Sequence, residues 1–260
     1  MNKNFYTLNE EFKRIHNLGW IKSKSHGSGN VGITFEYLLG KERENFPIAD
    51  YNGIEIKTNI ENFSRQYITL FSAAPDGKYI FQTQILKEKY GKNDLNSQNN
   101  KTFYARIVAN KLTLINNYYM KIELNYNTNK LILKIFNAKL KLIDEDCFWD
   151  FTILKEKIEK KMKYLAYIIA EKKYTKTGVY FYYKDISFYK INDFENFLKL
   201  ISNGTIKICF KVGIYKKGPK IGKTYDHGTG FEINKKDILK LYKQIAIQNR
   251  GQGESTKKRW

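Results

Sequence analysis

The sequence predicts a mixed α/β fold. Segments with apolar residues at helical spacing predict helices, segments in which apolar and polar residues alternate predict strands, and both kinds occur along the chain. The 260 residues, of which 42% are hydrophobic and 15% aromatic, can bury a sizeable core. The chain is therefore expected to be globular, either as one large domain or as two closely associated lobes.

A first helix is predicted from about Thr7, because Thr7 and Glu10 form a capping-box pattern. His16 is expected to end this helix as a structural residue. The apolar stripe that would face the core consists of Leu8, Phe12 and Ile15.

A glycine-rich loop, Ser25-His26-Gly27-Ser28-Gly29, leads into a second, short helix. Gly40 is placed to end that helix, since glycine is common just beyond a helix C-terminus. Glu36 would lie on the helix, near Asp50.

The segment PIADYNGIEIK follows. Its Asn52-Gly53 pair tolerates positive φ and predicts a tight turn. Side chains alternate in the strand after the turn, so its isoleucines point to one side while Glu55 and Lys57 point to the other. Asp50, just before the turn, can join these two charged residues.

This arrangement predicts metal-dependent cleavage of a phosphodiester. Asp50 and Glu55 supply hard oxygen ligands for Mg²⁺. Lys57 can orient a water molecule and neutralise charge that grows on phosphorus. The alternative is an exposed hairpin with a surface ion pair. The same acid-x-lysine spacing recurs in three predicted helices and one turn, at Glu11/Lys13, Glu159/Lys161, Glu171/Lys173 and Asp76/Lys78.

Further elements are assigned from periodicity and turn residues. Residues 66–72 are expected to extend the catalytic sheet, residues 79–90 are ambiguous between helix and strand, and the polar run 91–101 is expected to be a loop at the lobe boundary. A long helix from Thr152 is expected to pack on the catalytic sheet, with an apolar face that runs to Ile169. The remaining expected strands are 103–108, 118–124, 131–136, 178–189 and 205–212, and residues 125–130 are expected to join the second and third of these as a hairpin. The remaining expected helices are 192–202, closed by Asn203-Gly204, and one capped by Asn234 that runs to about Ile245.

The charge balance points to a polyanionic partner. The chain has 46 Lys plus Arg against 26 Asp plus Glu, a formal charge of +20, which favours nucleic acid binding. The alternative explanation for part of this excess is a low-GC genome, whose codons favour lysine. No apolar run of about 18 residues or apolar signal segment supports a membrane partner. The widely separated Cys147 and Cys209 predict unpaired thiols in a reducing cytoplasm, and the three histidines lack zinc-ligand spacing.

A basic, glycine-bearing loop lies between Tyr215 and His227. Its lysines can hold phosphates, while Asp226 can accept from a cytosine amine and His227 or Lys223 can donate to guanine. The alternative is an ordinary solvated loop. His26 is a second candidate for DNA contact, with a simple turn residue as its alternative.

The blocks GNVGITFEYLLG, PIAD and GIEIKT resemble the MvaI/BcnI family of type II restriction endonucleases and, more distantly, the MutH mismatch-repair nickase. A later block, ISNGTI followed by YDHGTGFEI, is similar to the DHGT-containing recognition segment of that family. The resemblance extends from about Gly27 to about Ile233. One departure is that Pro47, the proline of the motif, lies three residues before Asp50.

The resemblance implies a PD-(D/E)XK restriction-endonuclease-like catalytic lobe and a β-rich recognition lobe that clasp duplex DNA. The catalytic lobe is expected at residues 1–100 with a helix at 150–175, and the recognition lobe at 101–149 and 176–260. The catalytic set is Asp50, Glu55, Lys57 and the auxiliary Glu36, and the metal set is Asp50, Glu55 and Ile56. The expected DNA-binding residues are His26, Lys211, Tyr215, Lys216, Lys217, Lys220, Lys223, Asp226, His227 and Thr229.

The predicted function is Mg²⁺-dependent, sequence-specific hydrolysis of double-stranded DNA that leaves 5′-phosphate ends, with Mn²⁺ able to substitute. The alternatives are a MutH-like nicking enzyme and a non-catalytic basic DNA-binding protein. We expect a bacterial cytoplasmic monomer, with a homodimer left open, and a cognate DNA methyltransferase as its functional companion.

Overall fold

The computed structural model describes residues 3–27, 29–40, 50–61, 67–94 and 97–247. Pro47, with the two residues before Asp50, and the predicted tail from Gln248 to Trp260 lie outside these ranges. The elements in chain order are α1 (Lys3–Asn17), β1 (Ile21–Lys22), α2 (Asn30–Leu38), β2 (Ile54–Ile60), β3 (Tyr67–Ser72), β4 (Asp76–Gly77), α3 (Gln82–Tyr90), β5 (Lys92–Asp94), β6 (Ser97–Ile107), β7 (Thr113–Ile115), β8 (Tyr118–Asn125), β9 (Lys130–Phe136), β10 (Leu142–Asp150), α4 (Phe151–Lys161), β11 (Tyr164–Thr175), β12 (Gly178–Ile191), α5 (Phe194–Ser202), β13 (Ile206–Ile214), β14 (Thr224–Asp226), β15 (Gly230–Asn234), a 3₁₀ turn (Lys235–Asp237), α6 (Ile238–Leu241) and β16 (Tyr242–Ile245).

The chain divides into two compact units. The first contains the described residues of Met1–Phe63, Tyr164–Lys190 and Gln244–Trp260, and the second those of Ser64–Lys163 and Ile191–Lys243. These boundaries differ from those of the expected lobes, since the chain first passes from one unit to the other near residue 63 and not near residue 100.

The first unit is built on one mixed sheet with the strand order β1-β12-β11-β2, and β16 also pairs with β12. β11 and β12 form a long antiparallel hairpin, whereas β2 runs parallel to β11 with Lys57 opposite Tyr167. Helices α1 and α2 cover one face of this sheet through the apolar residues of their stripes. The helical residues in this core are Phe5, Leu8, Phe12, Ile15, Val31 and Phe35, and those of β2 are Ile54 and Ile56.

The second unit contains two sheets. One has the order β3-β15-β13-β6-β5 with β14 paired to β13, and the other has the order β4-β10-β9-β8-β7. An aromatic cluster fills its core: Phe71 stacks on Phe231 with ring centroids 4.7 Å apart, and Trp149 contacts Phe231 edge-on at 5.8 Å. Trp149 also donates its Nε1–H to the Ala73 carbonyl over 3.1 Å.

Turn chemistry produced the most accurate predictions. β8 and β9 pair as the expected hairpin, with Asn125 opposite Lys130 and Asn129 at φ 53° in the connecting turn. Helix α5 ends as expected, since Gly204 has φ 77° just beyond the C-cap Asn203. The segment 79–90, which the sequence leaves ambiguous between helix and strand, contains helix α3.

The long helix expected from Thr152 is wrong beyond residue 161. Helix α4 ends at Lys161, and Ile168 and Ile169 lie in the following strand β11. The near-continuous apolar run of β11 is typical of a strand buried on both faces. Over a short stretch such a run also fits the apolar spacing of a helix, so periodicity alone does not distinguish the two. Helix α4 also belongs to the second unit, whereas the catalytic sheet belongs to the first.

Four other expectations are corrected. β3 does not extend the catalytic sheet; it pairs with β15 in the second unit. The polar run 91–101 is not a linker, because β5 pairs with β6 there and tolerates polar residues at a sheet edge. Two helix limits also differ: α1 includes Lys3, so Thr7 lies inside it, and α6 ends at Leu241, after which Tyr242–Ile245 is a strand. Among the described residues, no helix is long and apolar enough to cross a membrane.

Candidate active site

The candidate active site is built on the tight turn before β2. Asn52 and Gly53 both have positive φ, 45° and 85°, as the sequence predicts. Two main-chain hydrogen bonds join Tyr51 and Ile54 over 2.9 and 2.8 Å and close the turn. The turn therefore fixes where β2 begins and returns the chain towards Asp50.

Glu55 and Lys57 share one side of β2, and the Lys57 ammonium donates to Oε1 of Glu55. The Glu55 side chain is 3% exposed and that of Lys57 is 28% exposed. Ile54 and Ile56 lie in the core on the other side. The strand thus presents a buried carboxylate whose charge a more accessible ammonium balances.

Asp50 is held against the same strand. Its Oδ2 accepts a hydrogen bond from the main-chain N–H of Ile56 over 2.9 Å. Ile56 lies between Glu55 and Lys57 in sequence, so the bond places the Asp50 carboxylate beside these residues. The structure therefore brings together three of the four residues in the predicted catalytic set.

The donor atoms at this place suit a hard divalent cation. Asp50 and Glu55 offer carboxylate oxygens, and Ile56 could contribute only its main-chain carbonyl. Mg²⁺ is commonly held by one or two carboxylates, with water and substrate phosphate as its other ligands. Among the described residues, no group of three or more His, Cys, Asp or Glu side chains suited to a metal occurs.

Glu36 lies on α2, which passes close to β2. A methyl group at Gly32 would come 3.2 Å from Thr58 Oγ1 and 3.8 Å from Glu36 Oε1, so both oxygens approach the same point. Thr58 falls on the Ile54 and Ile56 side of the strand, opposite Glu55 and Lys57. The auxiliary role of Glu36 stays a prediction.

The other acid-x-lysine copies differ from this site in structure. Glu11/Lys13 and Glu159/Lys161 lie in helices as expected, whereas Glu171/Lys173 lies in strand β11, not in a helix. There the Glu171 carboxylate pairs with Lys184 over 3.2 Å.

The basic loop of the second unit connects β13 to β14. Its aromatic residues form a series, in which the ring centroids of Tyr215 and Tyr225 are 4.6 Å apart and those of Tyr225 and His227 are 4.1 Å apart. Two main-chain hydrogen bonds close the loop: the Tyr215 N–H donates to the Lys223 carbonyl over 3.0 Å, and the Gly222 N–H donates to the Tyr215 carbonyl over 2.9 Å. The loop is thus an ordered, aromatic-supported projection.

The predicted DNA-binding residues of the second unit differ in accessibility. Asp226 is exposed, yet its Oδ1 accepts from the Gly228 N–H and its Oδ2 from the Thr83 hydroxyl, both over 2.7 Å. Thr229 is 0% exposed, so its side chain is not presented to a ligand in this conformation. The exposed candidates in this unit are Lys216, Lys217, Lys220, Lys223 and His227, and His26 of the first unit is also exposed.

A charged cluster, of which the sequence predicts only Lys211 as a functional residue, lies on the side of β13 opposite its core residues. Glu232 is 4% exposed and accepts from Lys211 over 2.6 Å, Arg106 over 2.8 Å and the Cys209 thiol over 2.9 Å. Lys207 donates to the Tyr67 hydroxyl over 2.7 Å, and Arg106 lies 4.5 Å from the centre of the Tyr67 ring. We call these six residues the β13 cluster: Tyr67, Arg106, Lys207, Cys209, Lys211 and Glu232.

One sequence signal could have revealed part of this cluster. In IKICFKV the polar or small residues alternate with Ile206, Ile208, Phe210 and Val212, each at most 1% exposed. Such alternation places Lys207, Cys209 and Lys211 on one open face. The contributions of Arg106 and Glu232 come from neighbouring strands and carry no local signal.

Electrostatics in the β13 cluster follow from these contacts. Burial raises the pKa of the Glu232 carboxyl, but the hydrogen bonds from Cys209, Lys211 and Arg106 outweigh burial, and the net pKa is lowered. Burial and the bond to Glu232 raise the pKa of the Cys209 thiol to about 12. The Lys207 hydrogen bond lowers the pKa of Tyr67. The exposed part of the cluster is therefore cationic.

Glu232→Gln should lower the free energy of unfolding by about 2 kcal/mol at neutral pH, because two cations lose their buried counterion. A carboxyl with a depressed folded-state pKa stabilises above its unfolded pKa, near 4.5, and this stabilisation is lost as pH falls through the folded-state value. The gap between wild type and variant in urea unfolding should shrink below that pH. Glu145→Gln, which removes a carboxylate with 54% exposure, serves as the control. A gap that does not change with pH would contradict the assignment.

A sheet strand that carries Glu55 and Lys57, with Asp50 beside it, is the arrangement of a restriction-endonuclease-type nuclease. The model of the MvaI/BcnI restriction endonuclease family matches residues 9–242. The chain belongs to this family and is a site-specific deoxyribonuclease of type II, as the sequence resemblance predicts.

Solved structures agree with this assignment. A complex of restriction endonuclease MvaI with its cognate DNA substrate is 31% identical, with a TM-score of 0.86, over 94% of this chain and 98% of that chain. MvaI in the absence of DNA has the same identity and coverage and a TM-score of 0.61. No curated protein matches significantly.

Proposed function

We propose that the protein cuts double-stranded DNA in a Mg²⁺-dependent reaction that leaves 5′-phosphate and 3′-hydroxyl ends. The observation that carries the proposal is the placement of Asp50, Glu55 and Lys57 on one short segment. The Asp50 carboxylate accepts a hydrogen bond from the Ile56 N–H of β2, and on the same strand the Lys57 ammonium donates to the Glu55 carboxylate.

In this reaction a water oxygen attacks phosphorus and the P–O3′ bond breaks. Water gives up one proton to solvent, and the departing O3′ gains one. The Lys57 ammonium, held by Glu55, donates hydrogen bonds to the phosphate oxygens as charge accumulates on them. The Ile56 N–H orients Asp50 without using its second oxygen, Oδ1.

Asp50, Glu55 and the main-chain oxygen of Ile56 would hold the divalent ion. When bound, Mg²⁺ supplies a Lewis acid that polarises the phosphate and favours attack by water. Mn²⁺, which also prefers oxygen ligands, is expected to substitute.

Duplex DNA is the proposed substrate, as in the MvaI complex with cognate DNA. The net charge of +20 supports attraction to phosphates. The β13 cluster and the exposed lysines of the basic loop would contact the duplex, the lysines chiefly at phosphates and the cluster at base edges.

Arg106→Ala should weaken DNA binding about tenfold and relax sequence preference, because it removes a planar donor with 49% side-chain exposure from the cluster. Binding is measured by fluorescence anisotropy without divalent ions, at several salt concentrations. Lys160→Ala, a comparable loss of charge at a side chain with 69% exposure in α4, is the control. Equal losses in both variants would indicate only a general charge effect.

The function itself is tested by incubating the purified protein with mixed plasmids and Mg²⁺ or EDTA. Discrete fragments with Mg²⁺ alone are expected. Slow nicking without discrete fragments would indicate a MutH-like enzyme, and retarded but intact plasmid in every lane would indicate a non-catalytic DNA-binding protein. Sequencing the fragment ends identifies the target and the cut position.

The biological setting follows from this activity. We propose a monomer that cuts the two strands in turn, with a cognate DNA methyltransferase that protects the host's own sites. The free Cys147 and Cys209, both buried, suit a reducing bacterial cytoplasm.

A further inference from the structure

The segment before α3 exposes a group of large apolar side chains. Ile80 is 95% exposed, Phe81 70% and Tyr79 39%. We call Tyr79–Phe81 the apolar tip. Single exposed apolar residues are common, but three in succession, two of them at least 70% exposed, usually mark an interaction surface.

The apolar tip is fixed to the strand that carries Asp226. Thr83, two residues after Phe81, donates to the Asp226 carboxylate over 2.7 Å. One turn later, the buried Lys87 donates to Thr224 over 2.9 Å. Two contacts therefore hold α3, and with it the tip, beside β14, the strand that follows the basic loop.

The charges around the tip favour a nucleic acid over another protein copy. The ammonium groups of Lys78 and Lys89 lie 5.8 and 5.7 Å from the centre of the Tyr79 ring. Lys89 also pairs with Asp144 over 3.2 Å, so Lys78 is the cation that can face a phosphate beside the apolar side chains. A second copy would also carry a formal charge of +20, so self-association through this patch would be opposed by repulsion.

We propose that Ile80 and Phe81 form an apolar wedge that inserts against the base pairs of bound duplex DNA, beside the strand β14 that carries Asp226. Apolar side chains inserted at a base step partly unstack it and kink and unwind the duplex. Because base steps differ in how easily they deform, the wedge adds sequence selectivity. This inference rests on the proposed binding of duplex DNA.

The experiment measures unwinding with full-length protein and needs no knowledge of the target sequence. Protein is bound to a closed plasmid in EDTA, a metal-independent topoisomerase relaxes the plasmid, and the linking-number distribution of the deproteinised plasmid is resolved on a gel. In parallel, a singly nicked plasmid is incubated with protein and EDTA, and its retardation on a gel measures binding. Wild type should shift the distribution, and the Ile80→Ser/Phe81→Ser variant should lose that shift while it still retards the nicked plasmid.

Leu239→Ser, at a position in the same unit that is 59% exposed, is the matched control and should keep the shift. Both variants should keep the thermal midpoint of wild type, because the replaced side chains are on the surface. Equal shifts for wild type and the double variant would overturn the wedge alone. If wild type fails to retard the plasmid, the proposed DNA binding itself fails. Sedimentation that reveals a wild-type dimer, lost in the double variant, would also overturn the wedge and identify the tip as a contact between copies.

Discussion

Lys57→Ala should lower the rate of DNA cleavage about a thousandfold at saturating DNA, while DNA affinity measured without divalent ions changes little. The variant removes the positive charge that balances Glu55 and that would meet the charge developing on the phosphate. Single-turnover cleavage of plasmid measures the effect. Asp50→Asn should be similarly inactive, because the amide keeps an acceptor for the Ile56 N–H but loses the anionic ligand.

Lys13→Ala is the matched control. Lys13 also pairs with a nearby glutamate, Glu10 over 2.7 Å, but on the exposed surface of α1. It should leave both cleavage and affinity unchanged. Cleavage retained by Lys57→Ala on saturated DNA, with affinity lost instead, would contradict the catalytic role of Lys57.

Trp149→Ala should reduce the free energy of unfolding by about 4 kcal/mol. Trp149 is 2% exposed, packs its ring against Phe210 and Phe231 at 6.0 and 5.8 Å, and is the donor for the Ala73 carbonyl. The variant leaves a cavity and an unsatisfied acceptor. The thermal midpoint should fall by about 10 °C in differential scanning calorimetry.

Leu114→Ala gives the comparison, since Leu114 is 60% exposed in the same unit and its truncation removes little buried area. The midpoint of this control should move by less than about 2 °C. Similar shifts in the two variants would show that the aromatic cluster does not dominate the stability of the second unit.

The geometry of the candidate active-site segment could be predicted because its information is local. Asn52-Gly53 fixes the turn through positive φ, and the period of 2 in a strand places Glu55 and Lys57 together whatever surrounds them. The bond from the Ile56 N–H to Asp50 adds the one contact that spacing alone could not supply.

The sequence by itself determined the mixed fold class, the active-site turn, the β8–β9 hairpin and the restriction-endonuclease resemblance, because these depend on turn chemistry, on side-chain alternation and on motif residues near one another in the chain. Only the tertiary structure decided that β3 pairs with β15, that Ile168 lies on a strand and that Arg106 meets Glu232 across 126 residues. A strand does not encode its partner locally, since any apolar strand face can satisfy another, and the choice is made by packing across the whole chain.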